Sequence, residues 1–170
     1  MSINNTESMH GVVALRLWEA LSIELPEVNF SLFPGRSLTS YRLDSIQPAN
    51  LGKGKKVSAG LFIKISTARR SPWRYTFARE HQEEILELYK KHGQVFVCFV
   101  AGLDGIACVD YQLLKQLLDE VFEDQEGISI SRKPRQNYRV SGNDGKLESP
   151  LPQNVFPTAI VDHFRKEYGL

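Results

Sequence analysis

Apolar positions recur along this chain with two periods, and the switches between them predict its elements. The pattern is clearest from Val57 to Val100. In VSAGLFIKIST, Leu61, Ile63 and Ile65 alternate with Phe62, Lys64 and Ser66, so both faces of the segment are largely apolar. Such a run is expected of a central strand covered on both sides. Its one cation, Lys64, either snorkels at the sheet end or points into a site. Val95 to Val100 is a continuous apolar run and predicts a second buried strand. Between the two, Phe77, Ile85, Leu88 and Tyr89 return at helical spacing, with Leu86 widening the stripe. Acidic Glu80, Glu83 and Glu84 come early and Lys90, Lys91 and His92 late, with Gly93 following. This order suits the helix dipole and a left-handed cap. The intervening ARRSPWRYTF reads as a basic loop.

The same reading extends to both ends. Residues 1–8 read as a disordered lead-in, with Ser8 as a helix N-cap, and residues 9–170 as a single globular domain. From Met9 to Leu25 apolar residues nearly encircle a helix that Pro26 ends, which predicts packing on more than one side. Val28 to Phe33 alternates like a strand, Pro34-Gly35 turns, and Leu38 to Ile46 predicts a second strand carrying Asp44. Pro48 to Lys56 is a basic loop whose glycine spacing does not match a phosphate-cradling P-loop. Beyond Val100, Gly102–Gly105 predicts a hairpin turn into a strand over Ile106 to Val109. Asp110 is placed to cap a helix with Leu114, Leu117, Leu118, Val121 and Phe122 as its stripe. Residues 123–127 read as an acidic surface turn, Ile128 to Val140 as a strand pair or extended edge, and Thr158 to Tyr168 as a last helix. The expected fold is α/β (α+β-like): a central mixed sheet flanked by helices, with an αβββαβ core and a C-terminal hairpin-and-helix extension.

Composition narrows the function classes. The 170 residues are enough for one proper core. Cys98 and Cys108 each lie in an apolar run and read as small buried hydrophobes. Neither the cysteines nor the four scattered histidines show metal-ligand spacing. No apolar stretch reaches membrane length and the start is polar, so a cytoplasmic protein is expected.

The net charge of +1 hides segregation. No acid lies between Asp44 and Glu80, an interval holding Lys53, Lys55, Lys56, Lys64, Arg69, Arg70, Arg74 and Arg79. Arg132, Lys133, Arg135 and Arg139 repeat the pattern, without an acid until Asp144. Guanidinium forks suit phosphate, and a charge-segregated protein can focus a field on a polyanion. Trp73 and Tyr75 interleave with these arginines. They read either as platforms for unpaired bases or as core staples at the helix start. His81 reads as a first-turn polar residue or as an acid–base group beside the arginine loop.

The order helix, strand, strand, strand, helix, strand, with Asp44 on the second strand and Lys64 on the third, resembles the PD-(D/E)XK superfamily of restriction-endonuclease-like proteins. The resemblance implies metal-assisted phosphodiester hydrolysis, with Mg²⁺ lowering the pKa of bound water and Lys64 orienting the nucleophile. Where the family has the glutamate of its E-x-K motif, this chain has Phe62, within LFIK. Catalysis would then need a relocated carboxylate, with Glu19 or Glu24 as candidates and Asp44 and Glu19 as the metal ligands. The alternative within the resemblance is a degenerate core that binds DNA or RNA without cutting it. A reading from another class is a protein-interaction or regulatory module, whose basic face meets an acidic partner or a second copy of the chain.

Overall fold

A computed structural model describes residues 2–48 and 54–170. The first helix, α1, spans Asn5–Glu24 and starts before the expected lead-in ends. Asn4, not Ser8, is its N-cap. The Asn4 side chain accepts from the Glu7 N–H at 2.8 Å, and the Glu7 carboxylate accepts from the Asn4 N–H at 3.0 Å. This is a capping box, which ties down two N–H groups that the helix itself cannot satisfy.

Strands β1 (Asn29–Pro34), β2 (Ser40–Ile46) and β3 (Lys56–Ser66) follow as an antiparallel run. β4 (Trp73–Ala78) leaves this sheet, and α2 (Arg79–His92) carries the chain back to β5 (Val95–Ala101), which pairs parallel with β3. β6 (Gly105–Asp110) closes the five-stranded sheet in the order β1-β2-β3-β5-β6. Then come α3 (Tyr111–Leu117), β7 (Gln125–Ser131), β8 (Arg139–Gly142) and α4 (Val155–Tyr168). β4, β7 and β8 form a second, antiparallel sheet. The fold is α+β, a mixed sheet flanked by helices, as the hydrophobic pattern predicts.

Alternation sorts the central strands into two cores. Leu61, Ile63, Phe96, Cys98, Val100, Ile106 and Cys108 face Val13, Leu17 and Leu21 of α1 and Ile160, Val161 and Phe164 of α4. Phe62, Val95, Val97, Phe99, Ala107 and Val109 face the other way, onto Ile85 of α2, Leu114 and Leu117 of α3, and the small sheet. Helix α2 sits close to β3 because Gly60 leaves room; a Cβ there would lie 2.8 Å from Leu88 Cβ. Gly93 ends α2 at φ 77°, the left-handed cap its position suggests.

Three expectations change. ARRSPWRYTF is not all loop, and Phe77 does not belong to the helix. Trp73, Tyr75 and Phe77 are buried while Arg74 and Thr76 are exposed, the period of a strand. The strand expected from Ile128 begins earlier, at Gln125 inside the expected acidic turn, and buries Glu126, which accepts a hydrogen bond from the Gln82 amide. α3 stops at Leu117, capped by Asp110 as expected, and leaves Val121 exposed. Cys98 and Cys108 are buried free thiols, paired across β5 and β6. Among the described residues no helix is long and apolar enough to cross a membrane.

The apolar girdle of α1 is covered on one side only. Val13, Leu17 and Leu21 are buried, whereas Leu15, Trp18 and Ile23 are 55%, 62% and 76% exposed. Leu21→Ala should therefore cost ~2–5 kcal/mol in urea unfolding, and Trp18→Ala no more than ~0.5 kcal/mol. Equal losses would place Trp18 in a buried contact and refute this packing.

Candidate functional site

The residues that the nuclease resemblance would join do not converge. Asp44 lies opposite Ser58 in the β2–β3 register, and Lys64 is six residues further along β3. At the rise of a strand that separation is about 20 Å. Asp44 faces Arg42, whose Nε lies 3.0 Å from its Oδ2 without pointing its N–H at it. Glu19 is an exposed residue of α1, which covers the opposite face of the sheet from Asp44 and Lys64. Phe62 is fully buried against the His81 ring. A Mg²⁺ site built from Asp44 and Glu19 with Lys64 beside it is not assembled. Among the described residues, the carboxylates that do gather within 4.8 Å of one another are Asp119, Glu126 and Asp144. Two of these close turns: Asp144 accepts from the Asp119 N–H at 2.9 Å, and Asp119 from the Val121 N–H at 2.7 Å.

Lys64 has a different set of neighbours. Its ammonium donates to the Thr76 carbonyl on the edge of β4 that faces away from β7, lies over the Phe77 ring at 4.9 Å, and sits 3.5 Å from His81 Nδ1. Burial pulls its pKa down to about 8. His81 Nδ1 accepts from the Ala78 N–H at 3.1 Å, which assigns the ring proton of the neutral imidazole to Nε2. Burial and then the Lys64 charge hold the imidazole below its ordinary pKa. A buried carboxylate on this side of the sheet is Glu84, which the sequence marks only as one of the early acids that suit the dipole of α2. It is buried and accepts from the Ser40 hydroxyl at 2.5 Å and the Ser37 N–H at 3.0 Å. Burial opposes its ionisation, but these hydrogen bonds outweigh it and keep the pKa low. Lys64 and Arg74 line one cleft of about 370 Å³, where the end of β3 meets β4.

The two basic stretches do come together, through strand register. Trp73 at the start of β4 lies opposite Ile130 near the end of β7, and Ser131 lies opposite Arg139 at the start of β8. The loops 67–72 and 132–138 therefore leave the same end of the small sheet. Ser71 Oγ joins them by accepting from the Arg132 N–H at 3.0 Å. Away from the core the sheet presents Arg74 and Thr76 from β4, Ser129 and Ser131 from β7, and Arg139 and Ser141 from β8. Arg69, Arg70, Arg74, Lys133, Arg135 and Arg139 are exposed and form no ion pair with any described residue.

Other expected members of this surface are excluded by geometry. Trp73 and Tyr75 are 2% and 3% exposed, so neither ring can stack on a base. The Trp73 indole N–H donates to the Ala68 carbonyl and the Tyr75 hydroxyl to the Val100 carbonyl, each at 3.0 Å. Arg132 is committed to Asp104 through two hydrogen bonds of 2.7 and 2.9 Å. Arg79 pairs with Asp124. Lys56 begins β3 and Ser66 ends it, so Lys55 and Lys56 lie about 33 Å from the basic loops by strand rise. Lys55 pairs instead with Glu167. Lys53 lies outside the described residues.

The buried ammonium gives a stability signature. The unfolded chain keeps the Lys64 proton up to its ordinary pKa of 10.5, while the folded chain sheds it near 8. The unfolded state thus binds more protons between those values, and stability rises with pH there. Relative to Lys64→Met, the wild-type chain should gain stability from pH 8 to 10.5 in denaturant titrations. A flat difference would contradict the burial of Lys64.

Set beside known proteins, the chain stands alone: no family model, no curated protein and no solved structure matches it.

Proposed function

We propose that this protein binds nucleic acid, DNA or RNA, through phosphate contacts on the outward face of the β4-β7-β8 sheet and the two loops at its end. The observation that carries this reading is the register that brings Arg69, Arg70, Arg74, Lys133, Arg135 and Arg139 together on a face without an acid, since Glu126 of β7 is buried on the core side. Five of the six are arginines, whose planar forks bind phosphate oxygens bidentately. Thr76, Ser129, Ser131 and Ser141 add hydroxyl donors of the kind that hold a phosphate backbone. With Trp73 and Tyr75 in the core, the binding reads charge and backbone shape more than stacked bases. With β4 set aside in the small sheet, the order α1-β1-β2-β3-α2-β5 supports a nuclease-like scaffold used here for holding rather than cutting, since Asp44, Glu19 and Lys64 lie apart.

Electrostatic binding of this kind releases counterions, so log Kobs falls linearly with log salt. If all six cations meet phosphates of duplex DNA, the slope approaches about −5. Arg70→Glu with Arg74→Glu should flatten the slope by about 2 and weaken binding at least about tenfold in fluorescence anisotropy. Both residues are exposed, so unfolding should change by no more than ~0.5 kcal/mol per substitution. Lys56→Glu, at the far end of β3, should bind like the wild type. Loss of binding in Lys56→Glu but not in the double variant would move the interface elsewhere. No retention of any oligonucleotide at low salt would end the reading.

A further inference from the structure

The cleft that holds Lys64 and Arg74 does not stand alone. A second cavity of about 390 Å³ adjoins it, between α1 and the β1–β2 hairpin, and the two share Thr6, His10 and Ile63 as common wall. Their chemistry differs. The first is cationic: Lys64 and Arg74 line it together with Thr39 and Thr76. The second is mainly aliphatic, with Leu17, Leu32 and Leu38 around Tyr41. Tyr41 is held edge-on to His10 by a hydrogen bond of 2.8 Å between its hydroxyl and His10 Nδ1. Leu38 and Leu32 are 92% and 38% exposed, so this groove shows apolar surface that no described residue covers. Each cavity falls within the ~300–1,000 Å³ typical of sites that enclose one small molecule.

We propose that the paired cavities form a seat for a single phosphorylated nucleoside, with its phosphomonoester between Lys64 and Arg74 and its base in the groove beside Tyr41. Charge decides between an end and an interior phosphate. A phosphomonoester carries about −1.5 to −2 at neutral pH, whereas a backbone diester carries −1. Two cations from adjacent strands match the first better. Thr6, in the first turn of α1, adds a hydroxyl to the shared wall, while the Glu7 carboxylate that caps this helix end lines the groove side. Arg74 belongs to both places, which puts the seat at one border of the proposed nucleic-acid face. The inference therefore rests on that reading and assigns it a preference for phosphorylated ends. A free mononucleotide offers the same chemistry.

The test measures oligonucleotides of one sequence with a 5′-phosphate, a 3′-phosphate or hydroxyl ends, by anisotropy at fixed salt. At least one phosphorylated end should bind about tenfold tighter than the hydroxyl form, the scale of one added charge-assisted contact. Lys64→Met and Arg74→Gln should each cut that ratio below about threefold, whatever they do to absolute affinity, with thermal unfolding checked for both. Arg74 is exposed, so its variant keeps the test valid if Lys64→Met fails to fold. AMP should displace the phosphorylated oligonucleotide and adenosine should not. Equal affinity for all ends, or a ratio unchanged in a folded variant, overturns the seat and leaves the sheet reading standing. Displacement of AMP by dodecanoate also overturns it, since the groove would then be an acyl site. AMP binding by a chain that retains no oligonucleotide supports the seat as a mononucleotide site and sinks the sheet reading instead.

Discussion

Strands β3 and β5 are apolar on both faces, and that single constraint organises the molecule. One face is closed by α1 and α4. The other needs more cover than α2 and α3 supply, and Trp73, Tyr75, Phe77, Ile128, Ile130 and Val140 of the small sheet provide it. Each large ring so buried contributes ~1.5–3 kcal/mol, and Tyr75 and Phe77 add edge-to-face contacts with Phe99. An exposed platform for a partner's bases would forgo that stabilisation in every unbound molecule. The rings therefore turn inward, and the strand period then dictates that Arg74 and Thr76 turn outward. Burial of the aromatics and display of the cations are one geometric event.

Lys64 shows the same constraint from its costly side. Its stem occupies a strand position between Ile63 and Ile65, and its ammonium loses water, which lowers its proton affinity. Its partners are a backbone carbonyl, an aromatic face and a neutral imidazole, without a carboxylate within ion-pair distance among the described residues. A group held this way at a cleft wall is a candidate for function. The donated bond to Thr76 nevertheless has a structural use, because it occupies a carbonyl on the unpaired edge of β4.

Much of the architecture was legible because it is written in local signals. The alternation of β3, the apolar run of β5, the Asp110 cap and Gly93 each act within a few residues, and each element formed where those signals lie. β4 was missed because six residues of strand abut a helix, so Phe77 fits either period. The Asn4-to-Glu7 capping box was present in the letters but sits among polar residues that look like a tail. The residues that the nuclease resemblance implies lie apart for a less local reason. Element order says which strands are neighbours but not which residues face each other, and register sets Asp44 beside Ser58. Glu84 was hidden for a similar reason: whether a helical glutamate is solvated or held by Ser37 and Ser40 depends on a turn 44 to 47 residues away. The meeting of the two basic stretches also rests on pairing between distant segments, and is visible only once β4, β7 and β8 are laid side by side.

Arg132 looks like one more basic residue in its stretch, yet it is 13% exposed at the side chain and clasped to Asp104 in the β5–β6 turn, where the Tyr138 hydroxyl also lands. This clasp bolts the 132–138 loop to the main sheet. The neighbouring cations are thereby presented from a stiff mount rather than a swinging arm. For the proposed polyanion the ordering cost would be confined to side-chain tips, ~0.5–1.5 kcal/mol for each one immobilised, because the backbone beneath them has already been fixed by folding.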